Sequence, residues 1–113
     1  MSTSPLIKHN LSAAPSKSFG RVNLQSASLH NSTIQRVAIQ PGGGWSADLK
    51  AQAGTDSCQK QHAGYVLSGT LGVRMDDGTE EHFGQGDVFG VAPGHDAWCV
   101  GDEEVVFVEW SAA

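Results

Sequence analysis

Residues 64–92 read GYVLSGTLGVRMDDGTEEHFGQGDVFGVA, and this stretch decides the fold. Short runs of alternating apolar and polar residues are separated by Gly69, by Asp77-Gly78 and by Gly84-Gln85-Gly86. An Asp-Gly pair between two alternating runs is the strongest short-range signal for a β-hairpin. The stretch therefore predicts consecutive antiparallel strands joined by tight turns, at residues 64–68, 70–75, 80–83 and 88–92.

The rest of the chain follows the same pattern. Fourteen glycines in 113 residues, with few helix-forming runs, favour an all-β fold. Strands are also predicted in the segment that starts at Phe19 and at residues 33–40, 45–50, 97–100 and 105–110. About eight to ten short antiparallel strands are typical of a small barrel or double-sheet jelly roll. Residues 1–17 are polar, contain Pro5 and Pro15, and predict a flexible arm before a single domain over residues 18–113.

The composition of the chain indicates which partners it can bind and in which compartment it is found. Seven Lys and Arg against 12 Asp and Glu give a formal net charge of −5, and no basic cluster offers a surface for nucleic acid. No apolar run approaches the roughly 18 residues that span a bilayer, and the N-terminal segment lacks the apolar stretch of a secretory signal. We therefore predict a cytoplasmic protein that binds neither nucleic acid nor membranes. In that compartment Cys58 and Cys99 are expected to be free thiols rather than a disulfide framework.

The segment GTDSCQKQH, residues 54–62, carries three side chains that can bind a metal. Asp56, Cys58 and His62 all occupy even positions, and alternate residues of a strand share one face. In a straight strand Cys58 and His62 would lie about 13 Å apart, which is too far for one ion. A bend between them, or a turn that puts His62 on the next strand, is therefore required. The structural alternative is a buried thiol, a histidine satisfied by the backbone and an aspartate that caps a turn.

From residue 45 to residue 110 the sequence resembles a cupin domain, a small β-barrel superfamily with two sequence motifs. The first cupin motif is G-x5-H-x-H-x3/4-E-x6-G, and its final glycine aligns with Gly69. Asp56 and Cys58 then take the places of its two histidines, and His62 takes the place of its glutamate. The resemblance implies a small cupin barrel in which these positions hold a metal.

The second cupin motif, G-x5-P-x-G-x2-H-x3-N, begins at Gly86 and puts its second glycine at Gly94. Its metal-binding histidine falls on Ala97, and the nearest histidine, His95, lies two residues earlier. The chain most resembles a subgroup of small single-domain cupins that has no assigned reaction, with segments like GTDSCQ-x2-HxGYVLSG and PPGHDAW.

The resemblance implies a divalent metal held by Asp56, Cys58, His62 and His95. A thiolate with imidazoles suits zinc, whereas the same set without Cys58 is the two-histidine, one-carboxylate group of non-haem iron enzymes. Zinc or iron is therefore the predicted cofactor. The aromatic side chains expected to line the mouth of the pocket are Trp45, Tyr65 and Trp98.

Three functions fit these residues. The first, which we favour, is a small metalloenzyme of oxygenase, isomerase or hydrolase type that acts on a small organic molecule. The second is a non-catalytic module that binds or senses a small molecule, and the third is a metal-free barrel in which these residues shape the core. Three protein ligands would favour the enzyme, because catalytic zinc keeps one position open. The final strand, residues 105–110, is apolar on both faces, which predicts a homodimer that forms through this strand or through the N-terminal arm.

Overall fold

The structure, a computed structural model, describes residues 4–112 and contains nine β-strands in that range. The strands are β1 (Lys17–Phe19), β2 (Val22–Ser28), β3 (Ser32–Ile39), β4 (His62–Ser68), β5 (Thr70–Met75), β6 (Glu80–Gly84), β7 (Val88–Val91), β8 (His95–Cys99) and β9 (Val105–Ala112). They form an antiparallel six-stranded sheet in the order β1-β2-β3-β9-β4-β7 and an antiparallel three-stranded sheet in the order β6-β5-β8. The predicted all-β, double-sheet architecture is confirmed.

The hairpin between β5 and β6 forms where the Asp-Gly pair predicts it. The backbone N–H of Met75 donates to the carbonyl oxygen of Thr79 at 2.8 Å, and the N–H of Gly78 donates to the carbonyl oxygen of Met75 at 2.9 Å. Gly78 has φ = 92°, a left-handed conformation that side chains disfavour. Local turn chemistry therefore sets the register of the β5–β6 pair.

The prediction of a strand at residues 45–50 is wrong. A π-helical turn (Trp45–Leu49) continues into one turn of α-helix, α1 (Lys50–Ala53). The Asp48 carboxylate accepts the backbone N–H of Gly44 at 2.9 Å and that of Arg21 at 3.1 Å, which folds the segment back on itself. Within residues 4–112, no helix is long and apolar enough to cross a membrane.

The segment before β1 lies over the outer face of β2. It includes a 3-10 turn (Leu11–Ala13), and the amide nitrogen of Gln25 donates to the carbonyl oxygens of Ser12 at 3.3 Å and Ala14 at 3.0 Å. Gln25 is 8% exposed, so these carbonyls satisfy a buried amide. Residues 1–3 of the predicted arm lie outside the described residues. The limits of the arm and of the single domain stay predictions.

The inner face of the larger sheet is divided into an apolar level and a polar level. Cross-strand pairing puts one apolar row side by side across β2, β3, β9 and β4: Leu24, Val37, Phe107 and Val66. Two residues further along the strands, the corresponding row is polar: Ser26, Gln35 and Glu109. The apolar level continues into the core, where Val22 and Val105 are at most 1% exposed. The boundary between the two levels is where the candidate site lies.

Candidate metal centre

Cys58 and His95 lie side by side at the start of β8. The backbone N–H of Cys58 donates to the carbonyl oxygen of His95 at 2.7 Å, and the N–H of Gly94 donates back to the carbonyl oxygen of Cys58 at 2.7 Å. Both side chains are shielded from solvent, since Cys58 is 9% and His95 2% exposed. This short antiparallel bridge fixes the thiol and the imidazole on the smaller sheet.

His62 reaches the same place from the larger sheet. It is the first residue of β4 and pairs with Val91 of β7, so residues 59–61 carry the chain from one sheet to the other. This crossing supplies the bend that the alternation of side chains requires. It brings the Cys58 Sγ atom to 3.6 Å from the His62 Nε2 atom. The ligand atoms of Cys58, His62 and His95 all lie within 4.8 Å of one another.

Each imidazole is oriented by an acceptor at its Nδ1 atom. The Nδ1 atom of His62 lies 2.6 Å from the Oε2 atom of Glu109, and the Nδ1 atom of His95 lies 2.7 Å from the carbonyl oxygen of Ala92. Carboxylates and backbone carbonyls are the usual outer partners of metal-binding histidines, because they hold the proton on one ring nitrogen and leave the other for the metal. In both rings that other nitrogen is Nε2.

The donor set fits a tetrahedral ion. Zinc–sulfur and zinc–nitrogen bonds of ordinary length at a tetrahedral angle separate the two ligand atoms by about 3.6 Å. The observed distance from Cys58 Sγ to His62 Nε2 is 3.6 Å. Burial lowers the pKa of His95 below its ordinary value, although the hydrogen bond to Ala92 acts in the opposite direction. The neutral imidazole that results is the form that binds metals.

A second hydrogen-bond network holds the loops that carry Cys58 and His95. The hydroxyl of Ser57 donates to the Oδ2 atom of Asp76 at 2.9 Å, and the backbone N–H of Asp76 donates to the carbonyl oxygen of Gly94 at 2.9 Å. Ser57 is 8% exposed. Asp76 therefore links the residue before Cys58 to the residue before His95.

Comparison with known proteins places this architecture. No protein-family model matches the chain, and no curated protein matches it. Solved structures do match. An RmlC-like cupin from Shewanella frigidimarina NCIMB 400 has a TM-score of 0.64 and 18% identity over 89% of this chain and 85% of its own. The polyketide cyclase RemF from Streptomyces resistomycificus has a TM-score of 0.68 and 14% identity over 95% of this chain and 79% of its own. The chain has the cupin fold.

A third structure extends the likeness to part of a larger enzyme. A deletion mutant of the oxalate decarboxylase OxdC from Bacillus subtilis has a TM-score of 0.63 and 21% identity, over 90% of this chain and 28% of its own. These identities are low, so the likeness concerns the fold.

Within the cupin fold, the four residues predicted as ligands divide into a group of three and a separate aspartate. Cys58, His62 and His95 converge, and His95 opens β8 rather than lying in an exposed turn. Asp56 is exposed in the loop before Cys58 and is not part of that group. A ligand role for Asp56 stays a prediction.

The three aromatic residues expected at the pocket mouth lie in different places. Trp45 lines the cavity between the sheets. Tyr65 is 38% exposed on the outer face of β4, because its inward neighbours are the even-numbered residues of that strand. Trp98 lies on the outer face of the smaller sheet, packed over Gly72 and 5.9 Å from the guanidinium of Arg74. Neither Tyr65 nor Trp98 is among the residues that line the cavity.

Glu109 is a site residue that the sequence-based search missed. It continues the inward face of β9 that Val105 and Phe107 begin, and its side chain is 13% exposed. A single acidic residue on an otherwise apolar inward face was the available signal, since such a carboxylate needs a partner. His62, on the neighbouring strand, is that partner.

Proposed function

We propose that this cupin-fold protein binds a divalent metal ion, with zinc as the first choice and iron as the alternative, through Cys58, His62 and His95. The observation that carries the proposal is the orientation of the two imidazoles. Glu109 and the carbonyl of Ala92 occupy their Nδ1 atoms, and the Cys58 sulfur lies at the distance expected of a neighbouring ligand. The soft thiolate favours zinc over the hard, oxygen-binding metals.

We further propose that the protein is an enzyme that acts on a small organic molecule. Three protein ligands leave one position of a tetrahedral ion open, which is the arrangement of catalytic zinc. A bound ion of this kind polarises a carbonyl group or lowers the pKa of a water molecule. The polyketide cyclase and the oxalate decarboxylase carry the same fold, which supports a catalytic use of such a barrel.

The residues of the chain have separable roles in this proposal. Glu109 holds the His62 proton at Nδ1, and the Ala92 carbonyl holds the His95 proton at Nδ1. Asp76 and Ser57 fix the loop that presents the Cys58 thiol. The apolar level of the barrel gives one side of the site a lining of low polarity, which strengthens electrostatic interactions there.

The alternative is a binding or sensing module, and one observation favours it. The acidic side chain that lines the cavity, Glu109, is already engaged by His62. An acid or base that is free to move a proton on a substrate is therefore absent from the described lining residues, apart from Lys60 and the ligands themselves. Turnover distinguishes the two functions.

Metal content tests the site. The protein is purified without added metal, and its metal content is measured by elemental mass spectrometry beside Cys58→Ala, His62→Ala and His95→Ala. A stoichiometric ion in the wild type that each substitution removes is the expected result. Cys99→Ala and His82→Ala are matched controls that should keep the ion, and Asp56→Ala tests whether its carboxylate is a further ligand. A folded wild type that refuses both added zinc and added iron would overturn the proposal.

Activity is then assayed on the metal-loaded protein with a panel of small organic acids, esters and lactones. Oxygen consumption would identify an iron oxygenase, and turnover without oxygen would identify a hydrolase or isomerase. Saturable binding of a panel member that is never converted would support the sensing module instead.

We also propose a homodimer in which the outer face of β4, β7 and β9 is buried. Tyr65 and Val88 are paired neighbours on that face, with 38% and 70% exposure, and Leu67 and Trp110 extend the patch. Contiguous apolar surface of this kind marks an interaction site. Sedimentation at micromolar concentration should give a dimer that Val88→Lys disrupts, and a wild-type monomer would count against the proposal.

A reducing compartment such as the cytoplasm fits the two free cysteines, because a thiol must remain unoxidised to bind a metal.

A further inference from the structure

The cleft beside the candidate metal centre has an apolar chamber and a polar vestibule. The chamber has a volume of about 230 Å³, and its lining is mostly aliphatic and aromatic, from Leu24 and Val37 to Phe89 and Phe107. The vestibule has about 120 Å³ and is lined mainly by hydroxyl, amide and charged side chains. Four residues line both parts and so mark the boundary: Gln35, Lys60, His62 and Glu109. A ligand that fills the chamber therefore presents its other end to this boundary.

Lys60 contributes a positive charge at that boundary. Among the described residues, no other lysine or arginine lines either part of the cleft. The ion pairs found within residues 4–112 do not include Lys60. Arg74, in contrast, forms an ion pair with Glu80 at 2.7 Å. The Lys60 ammonium is thus available to a ligand.

The position of Lys60 beside the candidate metal centre favours an anion. Lys60 lines the same cavity as Cys58, His62 and His95. A divalent ion held by those three residues would be the largest local charge there, and an anion at the boundary would be attracted by both the ion and Lys60.

From these observations we infer that the cleft takes a small monocarboxylic acid with an apolar body. The apolar body occupies the chamber, and the carboxylate lies at the boundary, where Lys60 and the metal would both attract it. This inference rests on the proposed metal site. The chamber is larger than the cavity of about 150 Å³ that holds benzene and smaller than the pockets of about 300 Å³ and above that hold drug-sized molecules. A body of about five to nine carbons matches that space.

Calorimetric titration of the zinc-loaded protein with three probes tests the inference. Hexanoate has both the body and the charge, acetate has only the charge, and hexanol has only the body. Four additional buried methylene groups should make hexanoate bind on the order of a hundredfold more tightly than acetate. Hexanol should bind at least about tenfold more weakly than hexanoate, because it lacks the charge that the ion and Lys60 attract.

Two lysine variants locate the charge. Lys60→Met should weaken hexanoate about fivefold and leave hexanol unchanged. Lys50→Met, which removes an exposed lysine of α1 outside the cleft, should change neither. Equal binding of hexanoate and hexanol, equal binding of hexanoate and acetate, or no binding of hexanoate would each overturn the inference. Zinc content is measured on the same samples, so that a protein without zinc overturns the proposed metal site, whereas a zinc-loaded protein without this preference overturns only the ligand class.

Discussion

The imidazole of His62 is engaged at both nitrogens, by Glu109 at Nδ1 and by the Cys58 sulfur at Nε2. The glutamate is largely buried, so its carboxylate depends on the ring as much as the ring depends on it. Glu109 would therefore orient the ligand His62 without binding the ion itself, whereas His62 and Cys58 would bind it.

Glu109→Gln should therefore lower the affinity of the protein for the metal without abolishing binding. The neutral amide still fills the space but holds the His62 proton less strongly, and loss of such an outer partner costs about 10- to 100-fold in metal affinity. Competition with a chromophoric zinc chelator measures the change, with Glu81→Gln on exposed β6 as the control. A Glu109→Gln affinity equal to that of the wild type would show that the contact does not support the ligand.

The second cysteine gives a prediction about pH. Burial raises the pKa of Cys99 above its ordinary value of 9.0, and its thiol donates to the carbonyl oxygen of Glu103 at 3.0 Å. The folded protein keeps the thiol proton at a pH where the unfolded chain releases it, so stability falls as the pH rises above 9.0. As the pH rises above 9.0, the unfolding free energy of Cys58→Ala, which retains Cys99, should therefore fall relative to that of Cys58→Ala/Cys99→Ala. Parallel pH curves for the two variants would contradict this assignment.

Among the elements, those governed by local chemistry could be predicted and those governed by distant contacts could not. The β5–β6 hairpin is set by the Asp77-Gly78 pair, which lies inside the four-residue turn 75–78. The helical turn at Trp45–Leu49 depends on Asp48 reaching Arg21, which is 27 residues away in the chain. The site divides in the same way: the motif alignment points to Cys58 and His62, but the Glu109 contact spans 47 residues and follows only from the pairing of β4 with β9.

Removing the Asp48 carboxylate should loosen the Trp45–Leu49 turn. Asp48→Ala leaves the backbone N–H groups of Arg21 and Gly44 without their charged acceptor, which should lower the unfolding free energy by about 1.5–3 kcal/mol. Denaturant unfolding measures the loss, and Asp102→Ala in an exposed turn should cost much less. Equal stability of Asp48→Ala and the wild type would show that the turn is held by the burial of Trp45 alone.

The segment before β1 should contribute to stability through two carbonyl groups. Deletion of residues 1–16 removes the Ser12 and Ala14 carbonyls and leaves the buried Gln25 amide nitrogen without them, at an expected cost of about 1–3 kcal/mol. Deletion of residues 1–10 keeps both carbonyls and should cost clearly less. The barrel should fold in both truncated proteins. Two deletions with the same stability would mean that the segment is energetically independent of β2.

Across the whole molecule, the candidate metal centre joins the two sheets. Cys58 and His95 belong to the side of the three-stranded sheet, and His62 belongs to the six-stranded sheet. An ion held by all three would tie the two sheets together beside the cleft. Binding of the ion to the folded chain alone would add directly to the free energy of unfolding.

Metal removal should therefore destabilise the entire barrel rather than only the site. At a zinc concentration about a thousand times the dissociation constant, the ion adds about 4 kcal/mol, so a chelator should lower the melting temperature by about 10 °C or more. Calorimetry of zinc-loaded and chelator-treated wild type measures this shift. Cys58→Ala should start near the lower temperature and respond little to either treatment, whereas Cys99→Ala should keep the full zinc-dependent shift. A stoichiometric zinc ion whose removal leaves the melting temperature unchanged would mean that the ion does not join the sheets, and the three ligands would then have to be sought elsewhere.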